Sequence, residues 1–560
     1  MKTRSNRTNN GYIGAYDLND LDNGIIGNNK NYTICLKESP ITENFYQGYG
    51  ISGGVNYTRP SQWVPLPGVT GGNIVVGAYA VYNTDSNFAS FTINTSSGNY
   101  LVNWGDGTTG SFASGVAAYK QYTTTTYSGL TSDVFRNYKT LLITITPVTA
   151  GANITSVDLV TKHNQSGLAS YYSNGWLDLR ISAPSCTQAL FSNYNFSNQN
   201  RSSKLEQVEW IGESPISSVS FLGCTSLKKI VSFPSCRNVT TGWSSVFHSC
   251  HLLQEIPINM DFSRASGSFN YVFYNCYNLR KVPPLYTKNC TSMVGIFINC
   301  VCLSRIPYLD TSNATSLDSL FYNCQAVEYV PYLDTRKCTN GNYIYWNCKK
   351  LKQIQPELAG ASFTSLLGTF SSTAILNAPT INTANVTTMN SMFSSCLTLK
   401  TIPQYNFSSC TNIGSMFSSC TSLEFVPDFN TPSTLATVDS LFNECRNLQY
   451  CPGITMGTAT SVANMFYRCW NMHSIPSTIN FSNVATTTTA FFENFSLSSC
   501  GITGISRNVD FTNACMGPTA LNNLYTSLQT AVRTITVTGN WGTASDNPSI
   551  ATAKGWTVTG

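Results

Sequence analysis

The sequence predicts a mainly β, modular chain in which a β-sandwich is followed by a solenoid, each turn of about 24 residues holding one short strand and one short helix. Three observations carry this. Phe-x-x-Cys recurs at a near-constant step, alternating β-rich runs precede the series, and charge is scarce. The 560 residues hold 32 Lys+Arg and 27 Asp+Glu, 11% charged, where an ordinary soluble domain carries about 25%. The apolar share is an ordinary 42%, so Ser, Thr, Asn and Gly have replaced the charges. With 30 Tyr, 29 Phe and 9 Trp the chain is too aromatic for disorder. No apolar run reaches the roughly 18 residues of a membrane helix, and a net charge of +5 without a Lys/Arg cluster provides no stripe for nucleic acid.

Taken in order, residues 1–65 are rich in Asn, Gly and Tyr without helical periodicity and are expected to form an extended docking arm. Residues 66–160 are expected to form the sandwich. Its strands lie at Ile74 to Tyr82 and Thr140 to Pro147, and Asn99 to Asn103 enters a tight Trp104-Gly105-Asp106-Gly107 turn. Residues 161–510 hold the repeats. Phe-x-x-Cys places Cys224, Cys250, Cys276, Cys300, Cys324, Cys348 (with Tyr345 for Phe), Cys396, Cys420, Cys445 and Cys469 at steps of 24 to 26 with one double step of 48. The double step hides a turn with Phe370 and Thr373; Phe191 with Tyr194 opens the series and Phe492 with Phe495 closes it. In several of the turns the Cys is followed three residues later by an apolar residue, then two variable positions and Ile or Val with Pro, as in Leu303/Ile306/Pro307, fitting a short strand stopped by Pro. Leu317, Leu320, Phe321 and Cys324 fit one face of a short helix. Residues 511–560, with a helix at Leu521 to Leu528 and a strand at Thr534 to Thr538, are expected to cap the last turn.

A second set, Cys236, Cys290, Cys338 and Cys410, stands in the place read as held elsewhere by Asn313, Asn385 and Asn483. That interchange predicts small, packed, reduced thiols in both columns. Paired Cys-x-x-Cys clusters do not occur, so no zinc site is expected. The four histidines are His163, His248, His251 and His473, three of them at framework positions of the repeat, and Asp310 and Asp334 belong to Asp-Thr loops that turn chemistry explains. No catalytic residue, cofactor or metal is therefore expected. Candidate surface contacts are the stacked positions just before the Cys, Tyr274, Tyr322 and Trp346 beside Asn275, Asn299, Asn323 and Asn347, together with Tyr308 and Tyr332 after the Pro. Aromatic faces take sugar C–H groups while amides pair with hydroxyls.

With these residues on the page, the region from about 180 to 510 resembles the BspA-like leucine-rich repeats of bacterial surface proteins, through Met392-Phe393-Ser394-Ser395-Cys396 and Ile306-Pro307-Tyr308-Leu309-Asp310-Thr311-Ser312. The Trp-Gly-Asp-Gly turn resembles that of PKD-type immunoglobulin-like domains, with Tyr119 and Tyr122 near the place of that family's usual His. The combination is similar to virion proteins of tailed phages. The resemblance implies adhesion, not an activity. Met1-Lys2-Thr3-Arg4-Ser5-Asn6 leads into polar sequence without the apolar core of a secretory signal, which favours a virion protein folded in host cytoplasm. The expected protein is thus a non-enzymatic tail fibre or appendage. It would meet other virion proteins through its arm and a host-surface glycan or protein through the solenoid, in a homo-oligomer or several symmetric copies. A capsid decoration or tail structural protein, and a bacterial cell-surface adhesin, are the alternatives.

Overall fold

The computed structural model describes residues 57–69, 71–85, 87–159, 175–191, 204–354, 357–358 and 362–560. The docking-arm expectation for 1–56, and Tyr194 and His163, lie outside them. Among the described residues the chain divides into two compact units, one ending at Asn313 and one from Ala314 to Gly560.

The first unit begins with two packed sheets. One has β1 (Ile74–Tyr82), β3 (Asn99–Asn103), β4 (Thr109–Ala113) and β6 (Tyr138–Pro147); the other has β2 (Asn87–Thr95), β5 (Ala117–Tyr122) and β7 (Ile154–Asp158). Rings from opposite sheets meet between them: Phe91 lies 5.7 Å from Trp104, and Tyr79 5.8 Å from Tyr122. The turn after β3 closes as its sequence predicts, with Trp104 N donating to Thr108 O at 3.0 Å. Gly105 has φ +76°, and a Cβ there would stand 2.4 Å from Leu142 O, so only glycine fits. Tyr122 donates its hydroxyl to Trp104 O at 2.9 Å and supports the turn from below.

Both sheets continue into the repeats. β8 (Trp176–Ser182) pairs antiparallel with β1 on one edge and parallel with β10 (Gln207–Trp210) on the other, and β10 pairs parallel with β12 (Lys229–Ser232). The second sheet does the same through β7, β9 (Gln188–Leu190) and β11 (Ser218–Ser220). The strand pairs at the start of the repeats therefore continue the two packed sheets, which satisfy the backbone groups of their first edge. Strand β1 is buried on both faces because the chain from Tyr57 to Val69 crosses the outer side of its sheet. Trp63 packs there on Ala78, Ala80, Tyr138 and Leu177, and Arg59 pairs with Asp178, which is 1% exposed.

In the repeats the inward Phe rings stack in a file. Centroid spacings are 4.5 to 5.5 Å from Phe191 through Phe221, Phe247 and Phe273 to Phe297 in the first unit. In the second unit they are 5.4 to 6.1 Å from Phe321 through Tyr345, Phe370, Phe393, Phe417, Phe442 and Phe466 to Phe491. Tyr345 and Phe370 thus fill the places the spacing assigns them. The closing turn differs: the buried ring is Phe491, not Phe492, which is 39% exposed. Of two adjacent Phe, the one 25 residues after Phe466 continues the file.

The expected helix is absent from the described repeats. Leu320, Tyr322 and Cys324 donate to the carbonyls three residues before them, but Ser319, Phe321 and Asn323 donate to Asn342, Ile344 and Trp346 of the next turn at 2.7 to 2.9 Å. Two left-handed residues, Ser319 at φ +56° and Asn323 at φ +61°, bend the chain out of any helix so that alternate N–H groups face along the stack. The apolar spacing is that of a helix face because both geometries turn the same side chains inward. The strand is as short as its Pro suggests, a single bridging residue in many turns, as in Asn377 to Thr401 to Phe425.

One alignment is corrected. Cys338 and Cys410 are equivalent to Ala314 and Val386, all buried; Asn313 and Asn385 precede that column by one place. Asn313 and Asn483 face outward and donate back to Lys288 O and Gly457 O, at 2.8 and 3.2 Å. The packed-thiol reading then rests on the apolar equivalents. The C-terminal segment has the expected helix at Pro518–Ser527 and strand at Arg533–Thr536, in a parallel sheet with Val509–Asp510 and Trp556–Thr559.

Candidate recognition surface

Every turn presents the same outward positions around its buried Phe and Cys, and stacking lines them into columns. In the first unit His248 and Tyr274, one place after the Phe, stack at 4.5 Å with 9° between planes. Burial pushes the His248 imidazole down to about 4, and its Nδ1 lies 2.9 Å from Ser249 Oγ. A ring held neutral between Tyr274 and its neighbour's hydroxyl is a packing element. In the second unit Tyr322 and Trp346 stack at 4.3 Å, with Tyr343 edge-on to Tyr322 at 6.3 Å.

The adjoining Asn column has a backbone cause. Asn275, Asn299, Asn323 and Asn347 have φ +59 to +61°, where Asn is among the few favoured non-glycine residues. Their amides also form rungs: Asn299 Nδ2 donates to Asn275 Oδ1 at 2.7 Å, and Asn347 Nδ2 to Asn323 Oδ1 at 2.6 Å. Each amide is half-buried, and Asn323 Oδ1 also accepts from Gln325 Nε2 at 2.8 Å. This column brings aromatic faces and amides together within each unit.

Tyr308 and Tyr332 lie on the strand side. Tyr308 is half-buried with its ring 6.3 Å from Tyr286, and Tyr332 is 46% exposed. Sequence reasoning missed other exposed rings on the strand side: Tyr286 in the first unit, and Tyr329, Phe425 and Tyr450 in the second, 39 to 55% exposed. Three of these four occupy the second variable position between the repeat's Leu and its Ile, Val or Cys before Pro. Alternation about the inward residues marks that place as outward. Also missed were Tyr271 and Tyr343, which lie over Gly295 and Gly368, where a Cβ would come within 2.7 Å of the ring.

The Asp loops are Asx turns. Asp310 Oδ1 accepts from Ser312 N at 3.0 Å, and Asp334 Oδ1 from Arg336 N at 3.1 Å, with the Arg336 guanidinium holding the Asp334 carboxyl below its usual range. Both carboxylates are engaged in shaping their loops. Among the described residues no group of three His, Cys, Asp or Glu could hold a metal ion, and no helix is long and apolar enough to cross a membrane.

Residues 187–328 match the BspA type leucine rich repeat region in six copies, and residues 364–500 match the family described as Mycoplasma protein of unknown function, DUF285. Among solved structures, a leucine-rich repeat protein from Bacteroides ovatus is similar at 13% identity and TM-score 0.37, covering 65% of this chain and 92% of that one. Another from Eubacterium ventriosum is similar at 15% identity and TM-score 0.28, covering 57% and 85%. No curated protein matches the sequence. The first part of the Phe file and Cys column falls within the family match, and residues 187–328 of the chain are a BspA-type leucine-rich-repeat region.

Proposed function

We propose that the protein is a non-enzymatic recognition component of a tailed-phage particle, a tail fibre or appendage whose repeats contact a glycan or protein on the host surface. The observation that carries this is the pairing of aromatic and amide columns on a nearly uncharged scaffold, as where Tyr322 and Trp346 stack at 4.3 Å beside the Asn323–Asn347 rung. Contacts repeated at turn spacing favour weak multivalent attachment, strengthened by several copies on one particle. In this reading the two-sheet unit is PKD-like, as its Trp-Gly-Asp-Gly turn suggests, and roots the repeats; residues N-terminal to it dock to the particle.

The family match to BspA-type repeats favours a second reading, an adhesin on a bacterial cell surface. Antibody against residues 200 to 500, imaged on particles and on cells, separates the carriers. Label on tail tips supports the first reading, label on capsids makes the protein a decoration, and label on cells makes it an adhesin. Recognition itself is tested by titrating labelled protein onto whole cells of a bacterial strain panel. Saturable binding to some strains that weakens in the Tyr308→Ala/Tyr332→Ala variant is expected. Saturation on none overturns recognition; unchanged binding with an intact fold removes these two residues from it.

A further inference from the structure

We propose that the turns around Phe442, Phe466 and Phe491 in the second unit form a patch for a neutral saccharide; this deepens the recognition reading and rests on it. The preceding turns are plain: around Phe393 the outward residues are Ser394, Ser395 and Leu397, and around Phe417 they are Ser418, Ser419 and Thr421. In the next three turns the same positions hold Asn443, Glu444 and Arg446, then Tyr467, Arg468 and Trp470, then Phe492, Glu493 and Phe495. They form two stacks. Tyr467 lies 5.3 Å from Phe492, while Arg446 sits 4.4 Å over Trp470, whose ring is 6.5 Å from Phe495. Between the stacks Arg468 pairs with Glu444 at 3.5 Å and Glu493 at 2.9 Å, and Arg446 pairs with Glu444 at 2.8 Å.

The fold does not need these groups. Phe spacing is 5.8 and 5.7 Å approaching the patch, and 6.1 and 5.7 Å within it, so the decorated turns stack no tighter. The backbone rungs are also the same: Ser395 and Ser419 donate to the next turn at 2.7 and 2.6 Å, Glu444 and Arg468 at 2.7 and 2.8 Å. Glu444, Arg468 and Glu493 moreover occupy left-handed backbone, at φ +57 to +58°, which costs any residue with a Cβ. Long charged side chains in a chain otherwise short of charge, at strained positions that Ser fills elsewhere, point to a ligand.

Its class follows from the chemistry. Two carboxylates face two guanidinium groups, so the patch selects neither an anion nor a cation. Rings on both sides offer faces to sugar C–H groups, and carboxylates and guanidinium groups take vicinal hydroxyls in paired hydrogen bonds. Arg446 Nε, Trp470 Nε1 and Asn443 Oδ1 are buried and make no hydrogen bond within the protein, a deficit that a hydroxyl-rich ligand entering beside the rings would fill.

The test is binding of the full chain to immobilised mannohexaose, cellohexaose, laminarihexaose and chitohexaose, followed by tryptophan fluorescence. Binding to at least one is expected. Trp470→Ala and Phe492→Ala should each weaken it about tenfold or more, while Trp470→Phe retains most of it and Thr434→Ala, on another face, leaves it unchanged. Should Trp470→Ala fail to fold, the triple variant Glu444→Gln/Arg468→Gln/Glu493→Gln, in which Ser-like neutrality is restored, decides by the same loss. Wild-type protein that binds cells but none of these sugars overturns the patch and leaves recognition standing, as does sugar binding indifferent to the variants. Failure to bind any cell overturns recognition itself.

Discussion

Each described thiol of the Phe-x-x-Cys column with a hydrogen bond to a Phe carbonyl one turn earlier reaches it at 3.0 to 3.2 Å, as Cys250 does to Phe221, Cys300 to Phe273, Cys420 to Phe393 and Cys469 to Phe442. Thr373 shows that a hydroxyl is tolerated there, since its Oγ1 donates to Phe370 O at 2.8 Å and lies 3.3 Å from Cys396 Sγ. Cys420→Ala, which removes one of the two hydrogen bonds to Phe393 O (Cys396 N keeps the other) and leaves a void, should cost about 1–3 kcal/mol in denaturant unfolding, whereas Thr373→Cys should cost less than about 1 kcal/mol. Burial pushes Cys396 and Cys410 up to about 11 and Cys348 to about 12. Unfolded thiols ionise near about 8.5, so the unfolded chain sheds protons that the folded chain keeps. Stability from these thiols is therefore fully present below pH ~8 and lost as pH rises toward 11 to 12, by about 1.4 kcal/mol per pH unit for each thiol. A denaturant midpoint as high at pH 10 as at pH 8 would contradict this. The Phe and Cys columns were legible because a fixed period is insensitive to local geometry. The Phe491 register and the Asn313 column were not, since one-residue shifts between similar residues leave the period unchanged.

At the scale of the element, the turn replaces the helix because its N–H groups alternate between their own turn and the next. Asn347→Gly should be nearly neutral, apart from the lost rung to Asn323, while Asn347→Val should cost about 1–2 kcal/mol more, because a branched side chain resists φ +59°. Equal stability of the two variants would argue for a helical turn after all. Apolar spacing could not distinguish these geometries; recurring Ser and Asn two places after the Phe were the available signal, but the Asn were read only as candidate surface contacts. The segment Tyr57 to Val69 was likewise read mostly as part of an arm. Its Trp63 is 2% exposed and donates Nε1 to Tyr138 Oη at 3.1 Å, so Trp63→Ala should destabilise the first unit by about 3–5 kcal/mol. A sheet's outer face gives no sequence sign of what will cover it beyond the near-continuous apolar run of β1.

Across the molecule, scarcity of charge is explained by stacking, in which a charge at a repeated position meets its counterpart in the next turn. Several charges at such positions meet the opposite sign, Arg237 with Asp261, Lys352 with Glu328, Lys400 with Glu424, and Arg468 with both Glu444 and Glu493, whereas Lys281 and Arg305 repeat theirs. In the first three of these pairs the basic side chain is mostly exposed, and in the others both partners are partly exposed, so raising salt from about 0.05 to about 0.5 M should change stability by less than about 1 kcal/mol. The shortage was visible in composition alone, but the alternation of sign required the register of the turns. Eighteen of the nineteen described cysteines are buried and Cys515 alone is exposed. Native-state alkylation read by peptide mass spectrometry tests this stacked interior most directly. The account predicts rapid labelling of Cys515, with the other eighteen labelled only after denaturation. Rapid labelling of the column cysteines in the native protein, or their recovery as disulfides, would contradict it.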